Sequence, residues 1–333
     1  MKPIAIRYAS RRAGTFWSIE ELFTSITMAL PEWVATKMES APRGRANLRS
    51  LVANILWMRA LGNCDIIHQT GDIHYTVLGV WRCPIILTIH DLRFFEEARG
   101  FKRFMFWCLW LYFPCLRANR ITVISEFTKQ RLLALCWINP AKVRVIPNCV
   151  APEFTTRTKA WPQGEVRVLQ VGTTDNKNLA RVAEACSGLP VQLSIIGKLT
   201  PLQREHLNRH EVAYECHSNL SKAEVVALYE SCDLVVFVST YEGFGVPILE
   251  AQAIGRPVLT SDISPMREVA GCGALQVDPF DVAAIRNGLA RLIGDATLRE
   301  QLVRDGFRNV KDYSATSVAA QYAAIYRELI PDR

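Results

Sequence analysis

Short apolar runs rich in β-branched residues alternate with helical stretches from one end of this 333-residue chain to the other, and nothing else in the sequence constrains the fold as much. Strands buried on both faces read as continuous apolar runs, and parallel strands need a long, usually helical crossover between them. The pattern predicts α/β architecture, with parallel sheets covered by helices on both faces. In the first half the strand runs are "IAIRYA" (4 to 9), "CDIIHQ" (64 to 69), "PIILTIH" (84 to 90), "RITVIS" (120 to 125) and "VRVIPN" (143 to 148). In the second they are "VRVLQVG" (166 to 172), "QLSIIG" (192 to 197), "VAYEC" (212 to 216), "DLVVFVS" (233 to 239), "PVLTS" (257 to 261) and "ALQVD" (274 to 278).

Two such series in a chain this long predict two domains rather than one core. Between them lies "NCVAPEFTTRTKAWPQGE" (148 to 165), polar, with two prolines and no helical period. We therefore expect a domain over 1–149, a linker over 150–165, a second domain over 166–314, and a helix over 315–333 that packs back on the first domain. From about 282 onward the sequence is wholly helical. Two doubly wound domains would leave a cleft with ligands at the carboxyl ends of the strands. No internal repeat or low-complexity segment is present.

Half of the residues are hydrophobic and 21% are charged, which excludes a disordered chain. The longest apolar stretch, "FMFWCLWLYFPCL" (104 to 116), is short of the roughly 20 residues that a spanning helix requires. The amino terminus lacks the pattern of a signal peptide, so the expected location is cytoplasmic. Ten scattered cysteines show no C-x-x-C pair and no cysteine-histidine set with zinc spacing. They read as small buried hydrophobes in a reducing compartment.

The formal charge of +7 is uneven. Residues 1 to 150 hold 20 Lys and Arg against 10 Asp and Glu, and the remainder 19 against 22. A basic half fits a nucleic acid, an anionic membrane surface or an anionic substrate, with a solvated surface as the bland reading. No nucleic-acid motif is present, so no nucleic-acid partner is expected.

The segment carrying most chemistry is "YEGFGVPILEAQAIGRPV" (241 to 258). A buried strand runs into a tight glycine loop, Pro247 suits the first position of a helix, and Gly255 suits its C-cap. Glu250 then falls in the first turn of that helix and Glu242 in the loop before it. Backbone amides of such a loop and helix start receive an anion such as a diphosphate. The two carboxylates would be repelled by it and suit sugar hydroxyls instead. A diphosphate with a sugar at each end is a nucleotide sugar. Dipole stabilisation of the helix start is the bland reading of Glu250, a few tenths of a kcal/mol up to about 1.

"STYEGFGVPILEAQAIGRPVLTSDISPMREVAGCGALQVDP" (239 to 279) resembles the E-x7-E signature of glycosyltransferase family 4, the retaining transferases with the two-domain GT-B fold. The resemblance covers nearly the whole chain and is strongest over 166–293. It implies two Rossmann-like domains facing across a cleft, with a helical C-terminal tail. It also implies a sugar contact for Glu242, a ribose contact for Glu250, and diphosphate or sugar contacts for the backbone of Gly243, Phe244, Gly245 and Val246. "VLQVGTTDNKNLARV" (168 to 182) resembles the family's G-R-x-x-x-x-K-N segment, in which arginine and lysine clamp the diphosphate. Gly172 and Lys177 match, but Thr173 stands where the arginine usually is. Lys198, after "LSIIG", is the candidate replacement, with an exposed loop lysine as the competing reading.

In the first half, His90 ends the strand "PIILTIH" and resembles the histidine that family members direct at the donor sugar. "HQTGDIHY" (68 to 75) offers His68, Asp72 and His74 as acceptor-pocket residues, with a metal set as the minor alternative. Gly14, in "RRAGTFWSIEELF", matches the position of the family's acceptor loop, although a single glycine is a weak match. Ser125 and Glu126 read as a helix cap as readily as a site. "IPNCVAPEF" departs from the family's hinge at Cys149 and Ala151, so no role carries over there.

The resemblance implies transfer of a sugar from a nucleotide diphosphate sugar to a glycan or lipid-linked hydroxyl, as in bacterial cell-surface polysaccharide or lipopolysaccharide synthesis. No metal and no cofactor are expected. Basic and aromatic residues beside one another in the first half suit peripheral contact with an anionic membrane, or equally a core helix. Rival readings are a nucleotide-sugar 2-epimerase of the same fold and a non-catalytic nucleotide-sugar-binding protein. A nicotinamide dehydrogenase would need a G-x-G-x-x-G that neither half has.

Overall fold

The computed structural model describes residues 3–11, 18–44, 47–61 and 64–331. The chain divides into two compact units, one comprising Met1–Cys149 with Ala315–Arg333, the other Val150–Ser314. Among the described residues no helix is long and apolar enough to cross a membrane.

The first unit is a parallel six-stranded sheet of β1 (Ile4–Ser10), β2 (Val34–Ser40), β3 (Ile66–Gln69), β4 (Ile85–Ile89), β5 (Arg120–Val123) and β6 (Val143–Val145), in the order β2-β1-β3-β4-β5-β6. Every residue of β3 and β4 is buried, so β4 reads as an apolar run, while β3 buries His68 and Gln69 beside its two isoleucines. Each buried isoleucine or leucine contributes roughly 1.5–3 kcal/mol. Only β2 has no counterpart in the apolar pattern. It is an edge strand whose single buried residue is Val34, so it has no apolar face to show.

The helix Ala315–Leu329 belongs to this unit and buries Val318, Ala319, Tyr322 and Tyr326 beside Ile4, Ile6, Tyr8 and Phe23. The Tyr326 hydroxyl lies 2.6 Å from that of Tyr8 and 2.9 Å from His68 Nδ1. His68 Nε2 continues the chain to Thr88 at 2.7 Å, and Thr88 to Thr122 at 2.7 Å. Polar atoms that would be costly to bury alone thus satisfy one another and tie the terminal helix to the sheet.

Residues 104–116 form no simple helix. A helix over Gly100–Phe106 passes through a π-helical stretch, Trp107–Tyr112, into Phe113–Arg117, with Pro114 inside the path. Proline has no N–H and would clash with the carbonyl four residues back, and widening to the π form relieves both. The carbonyl in question is that of Trp110. His74 Nδ1–H donates to it at 2.8 Å.

The second unit is another parallel six-stranded sheet. Its strands are β7 (Val166–Val171), β8 (Val191–Ile196), β9 (Ala213–His217), β10 (Leu234–Phe237), β11 (Val258–Ser261) and β12 (Leu275–Val277), in the order β12-β11-β10-β7-β8-β9. Residues 150–165 lie along this unit rather than standing apart from it. Val150 N–H donates to Tyr313, Arg157 N–H to Ile254, and Lys159 pairs with Asp233 at 2.5 Å. Strand order reverses between β1 and β3 in the first sheet and between β7 and β10 in the second, the points where a doubly wound sheet opens to a ligand.

Candidate donor site and the neighbouring polar residues

The switch point of the second sheet is where the sequence concentrates its candidates. Gly172 to Lys177 follow β7 and Glu242 follows β10. Lys177 Nζ donates to Glu242 Oε1 at 2.6 Å, with both side chains mostly covered. Asn176 Nδ2 donates to the same oxygen at 3.3 Å and to the Tyr241 carbonyl at 2.9 Å, while Thr240 N–H donates back to Asn176 at 2.8 Å. The two loops are therefore stitched together around the ion pair. Lys177 Nζ also stands 4.5 Å from the centre of the Phe237 ring. An ammonium has three protons, so the Glu242 bond leaves donors for an anion.

Local backbone explains why Lys177 is held there. Gly172 has φ +92°, and a Cβ on it would come within 2.9 Å of Lys177 Cγ. Asn178 takes the left-handed conformation at φ 61°, and its buried amide donates to the carbonyls of Val238 and Pro279. Gln170 Nε2 donates to the Lys177 carbonyl at 2.9 Å.

Thr173 ties its loop to the next one. Its hydroxyl donates to the Lys198 carbonyl at 3.0 Å, and its methyl lies against Gly197, where a Cβ would be 2.6 Å away. Gln203 Nε2 donates to the Thr173 carbonyl at 2.6 Å. Lys198 itself is exposed.

The helix following the glycine loop is Val246–Ile254, and Gly245 at its start, with φ +122°, supplies no side-chain cap. Gly255 ends it at φ +88°, as the sequence predicts. Two details differ from expectation. Pro247 is the second helical residue rather than the first, and Glu250 is the fifth rather than part of the first turn. Tyr229, fully buried on the helix Lys222–Ser231, donates its hydroxyl to Glu250 Oε2 at 2.6 Å. Burial and the adjacent Glu250 charge hold that phenol well above its ordinary pKa. The dipole reading of Glu250 thus loses its geometric basis. Phe244 is buried, its ring 5.9 Å from that of Tyr313, so only its backbone can serve a ligand.

In the first unit His90 directly follows β4 and is buried, with Nε2–H donating to the Thr70 carbonyl at 2.9 Å. That bond leaves Nδ1 as the nitrogen with a lone pair. The acceptor reading of His68 is corrected, because it is wholly buried with both nitrogens engaged in the Tyr326 and Thr88 network. Burial, then the charge of His90, pushes its pKa down to about 3. The acceptor reading of His74 is corrected for a related reason: it is buried and its Nδ1–H serves the carbonyl that Pro114 cannot. Asp72 remains half exposed, with its carboxylate 3.2 Å from Arg11 and its carbonyl accepting from Trp110 Nε1. The three do not gather as a metal set among the described residues. Gly14 lies outside the described residues. Ser125 caps the helix Glu126–Leu135 by accepting from Thr128 N–H at 3.1 Å.

Sequence reasoning missed Tyr229, Asn176, Gln170 and Gln203. Only Asn176 lies beside a motif residue. Tyr229 is 21 residues from Glu250 with no pattern linking them.

Residues 153–308 match the family described as Glycosyl transferases group 1, and residues 21–154 the family described as Glycosyltransferase Family 4. The chain belongs to the family-4 glycosyltransferases. The transferase is 25% identical to the MMP alpha-(1->4)-mannosyltransferase of Mycolicibacterium hassiacum, over 94% of this chain and 79% of that protein. It is 26% identical to the O-antigen chain mannosyltransferase RfbU of Salmonella typhimurium, over 68% of this chain and 66% of that one. In fold the transferase is similar to Anabaena Alr3699/HepE, solved in complex with UDP and glucose, with TM-score 0.75 and 14% identity over 97% of this chain and 99% of the other. Its two parallel sheets with covering helices and helical C-terminal tail match the GT-B architecture of such structures.

Proposed function

We propose that this transferase is a retaining, metal-independent hexosyltransferase that moves a sugar from a nucleotide diphosphate donor to a hydroxyl of a cell-surface glycan or lipid-linked acceptor. The observation carrying this reading is the Lys177–Glu242 contact at the switch point of the second sheet. It joins one cation for the diphosphate to one carboxylate for the sugar hydroxyls. Glu250, steadied by Tyr229, serves the ribose, and the uncapped start of the helix Val246–Ile254 adds amides for the phosphates. The acceptor oxygen bonds to the anomeric carbon as the bond to the diphosphate oxygen breaks, and the leaving phosphate takes the acceptor proton. Lys177 stabilises charge where it develops. The names of the matched relatives make mannose the sugar to test first and a surface polysaccharide the acceptor class.

The test is a thermal-shift screen of nucleotide diphosphate sugars followed by transfer assays. A donor at about 100 times its Kd should stabilise the fold by about 2.7 kcal/mol. Glu242→Ala should abolish transfer while leaving the fold intact, with a melting temperature lowered only by the loss of the Lys177 contact. Undiminished turnover in that variant would overturn the assignment.

A second contact is proposed for the first unit, with an anionic membrane. Phe101 and Phe104 are 81% and 59% exposed beside Lys102 and Arg103, whereas Trp110 and Leu111, further along, are buried. Binding to anionic vesicles should weaken with salt and with Phe101→Ser; salt-independent binding refutes it.

A further inference from the structure

Away from the donor loops, the second unit carries a cluster that the transfer reaction does not use. A ligand atom from each of Glu184, His206 and His210 lies within 4.8 Å of the other two. Glu184 stands on the helix Leu179–Cys186. His206 lies in the last turn of the helix Pro201–Arg209, and His210 is its C-cap. A four-residue spacing puts the two imidazoles on one helical face, and their ring centres are 4.7 Å apart.

Three features suit this cluster to a divalent cation. His206 Nε2–H donates to the Ala180 carbonyl at 3.1 Å, which fixes the tautomer and leaves Nδ1 with its lone pair. A ring N–H held by a backbone carbonyl is the usual outer support of a ligating histidine. The C-terminal end of a helix carries partial negative charge and favours a cation. The neighbouring Arg209, which would oppose one, is drawn to Glu205 at 2.8 Å.

We propose that Glu184, His206 and His210 form a binding site for a borderline divalent metal of the zinc class, with solvent completing the shell. Two imidazoles and one carboxylate suit zinc, nickel or cobalt rather than magnesium or calcium. Neither Lys177 nor Glu242 is a ligand, so the metal takes no part in transfer and acts as a clasp between two helices. The clasp bears on the donor loop from both sides. The helix Leu179–Cys186 starts two residues after Lys177, and Gln203 on the other helix holds the Thr173 carbonyl. The cluster leaves no cysteine-histidine pattern in the sequence, because its third ligand is a carboxylate 22 positions before His206.

The experiment is titration of the untagged, chelator-stripped full chain with zinc by calorimetry and with cobalt by absorption. One saturable equivalent is expected, with a raised melting temperature and cobalt bands free of thiolate charge transfer. His210→Ala, at the helix end, and Glu184→Gln should each weaken zinc binding at least about tenfold while leaving the metal-free melting temperature unchanged. Wild-type affinity in both variants, a thiolate-to-cobalt band, or no saturable binding would each overturn the site. His206→Asn serves as a third arm with the same expected loss.

Discussion

Lowering the pH from 7 to 5 should weaken the first unit by about 2 kcal/mol through His68 alone. His68 is wholly buried, and burial followed by the charge of His90 brings its pKa down to about 3 from an ordinary value of 6.5. Between those values the unfolded chain binds a proton that the folded chain does not, so stability is complete above the unfolded value and is lost as pH falls toward the folded one. Each tenfold difference in proton affinity is worth about 1.4 kcal/mol, and pH 5 lies about one and a half decades below the unfolded value. The loss is therefore about 2 kcal/mol at pH 5 and grows until about pH 3. The perturbation is His68→Gln, which removes the titrating ring. That variant should be less stable at pH 7 by about 1–3 kcal/mol, because Tyr326 and Thr88 lose a buried partner. It should nonetheless lose about 2 kcal/mol less than wild type on acidification to pH 5. His74, whose pKa is also lowered by burial, is present in both proteins and cancels. Urea unfolding followed by tryptophan fluorescence reads the right unit, since seven of the eight tryptophans lie within residues 1–149. Parallel stability curves for wild type and variant between pH 7 and 5 would refute the reasoning.

Tyr229→Phe removes a hydrogen bond to a carboxylate, worth about 1.5–3 kcal/mol, so nucleotide Kd should rise while the Glu250→Ala background shows no further effect. A double-mutant cycle on nucleotide binding checks the coupling. Gly172→Ala places a Cβ against Lys177 at a positive φ that costs roughly 1–2 kcal/mol. The melting temperature should drop and donor affinity with it, whereas Gly164→Ala, which meets nothing within 4 Å, should change neither.

The fold was legible because parallel strands covered on both faces are mostly apolar. β2 was not, since an edge strand with one buried residue leaves no such trace. At the site, Lys177 and Glu242 could be named because each sits in a segment that resembles a family motif. Nothing in the sequence brings residues 65 apart to 2.6 Å. His68 and His74 misled for a shared reason. A histidine at or after a strand end suits a pocket wall, but whether it is spent on the interior depends on partners that sequence does not mark as such. For His68 the partner is Tyr326, 258 residues away, and for His74 it is a carbonyl opposite a proline 40 residues downstream.

The missing arginine at position 173 can be read in the same physical terms. An arginine there would bring a fixed charge to the diphosphate, but Thr173 is committed to the Lys198 carbonyl and to the surface of Gly197. Lys177 is then the central cation of the proposed clamp, and Glu242 engages it at 2.6 Å. On the proposed reading, a diphosphate arriving beside Lys177 would share the ammonium with Glu242, and each step that shifted the lysine toward phosphate would leave the carboxylate freer to accept from sugar hydroxyls. The proposed site would thereby recognise the two halves of the donor together rather than separately, because binding the phosphates would prepare the group that binds the sugar. A clamp with a second fixed cation would bind diphosphate alone more tightly and would couple the two events less.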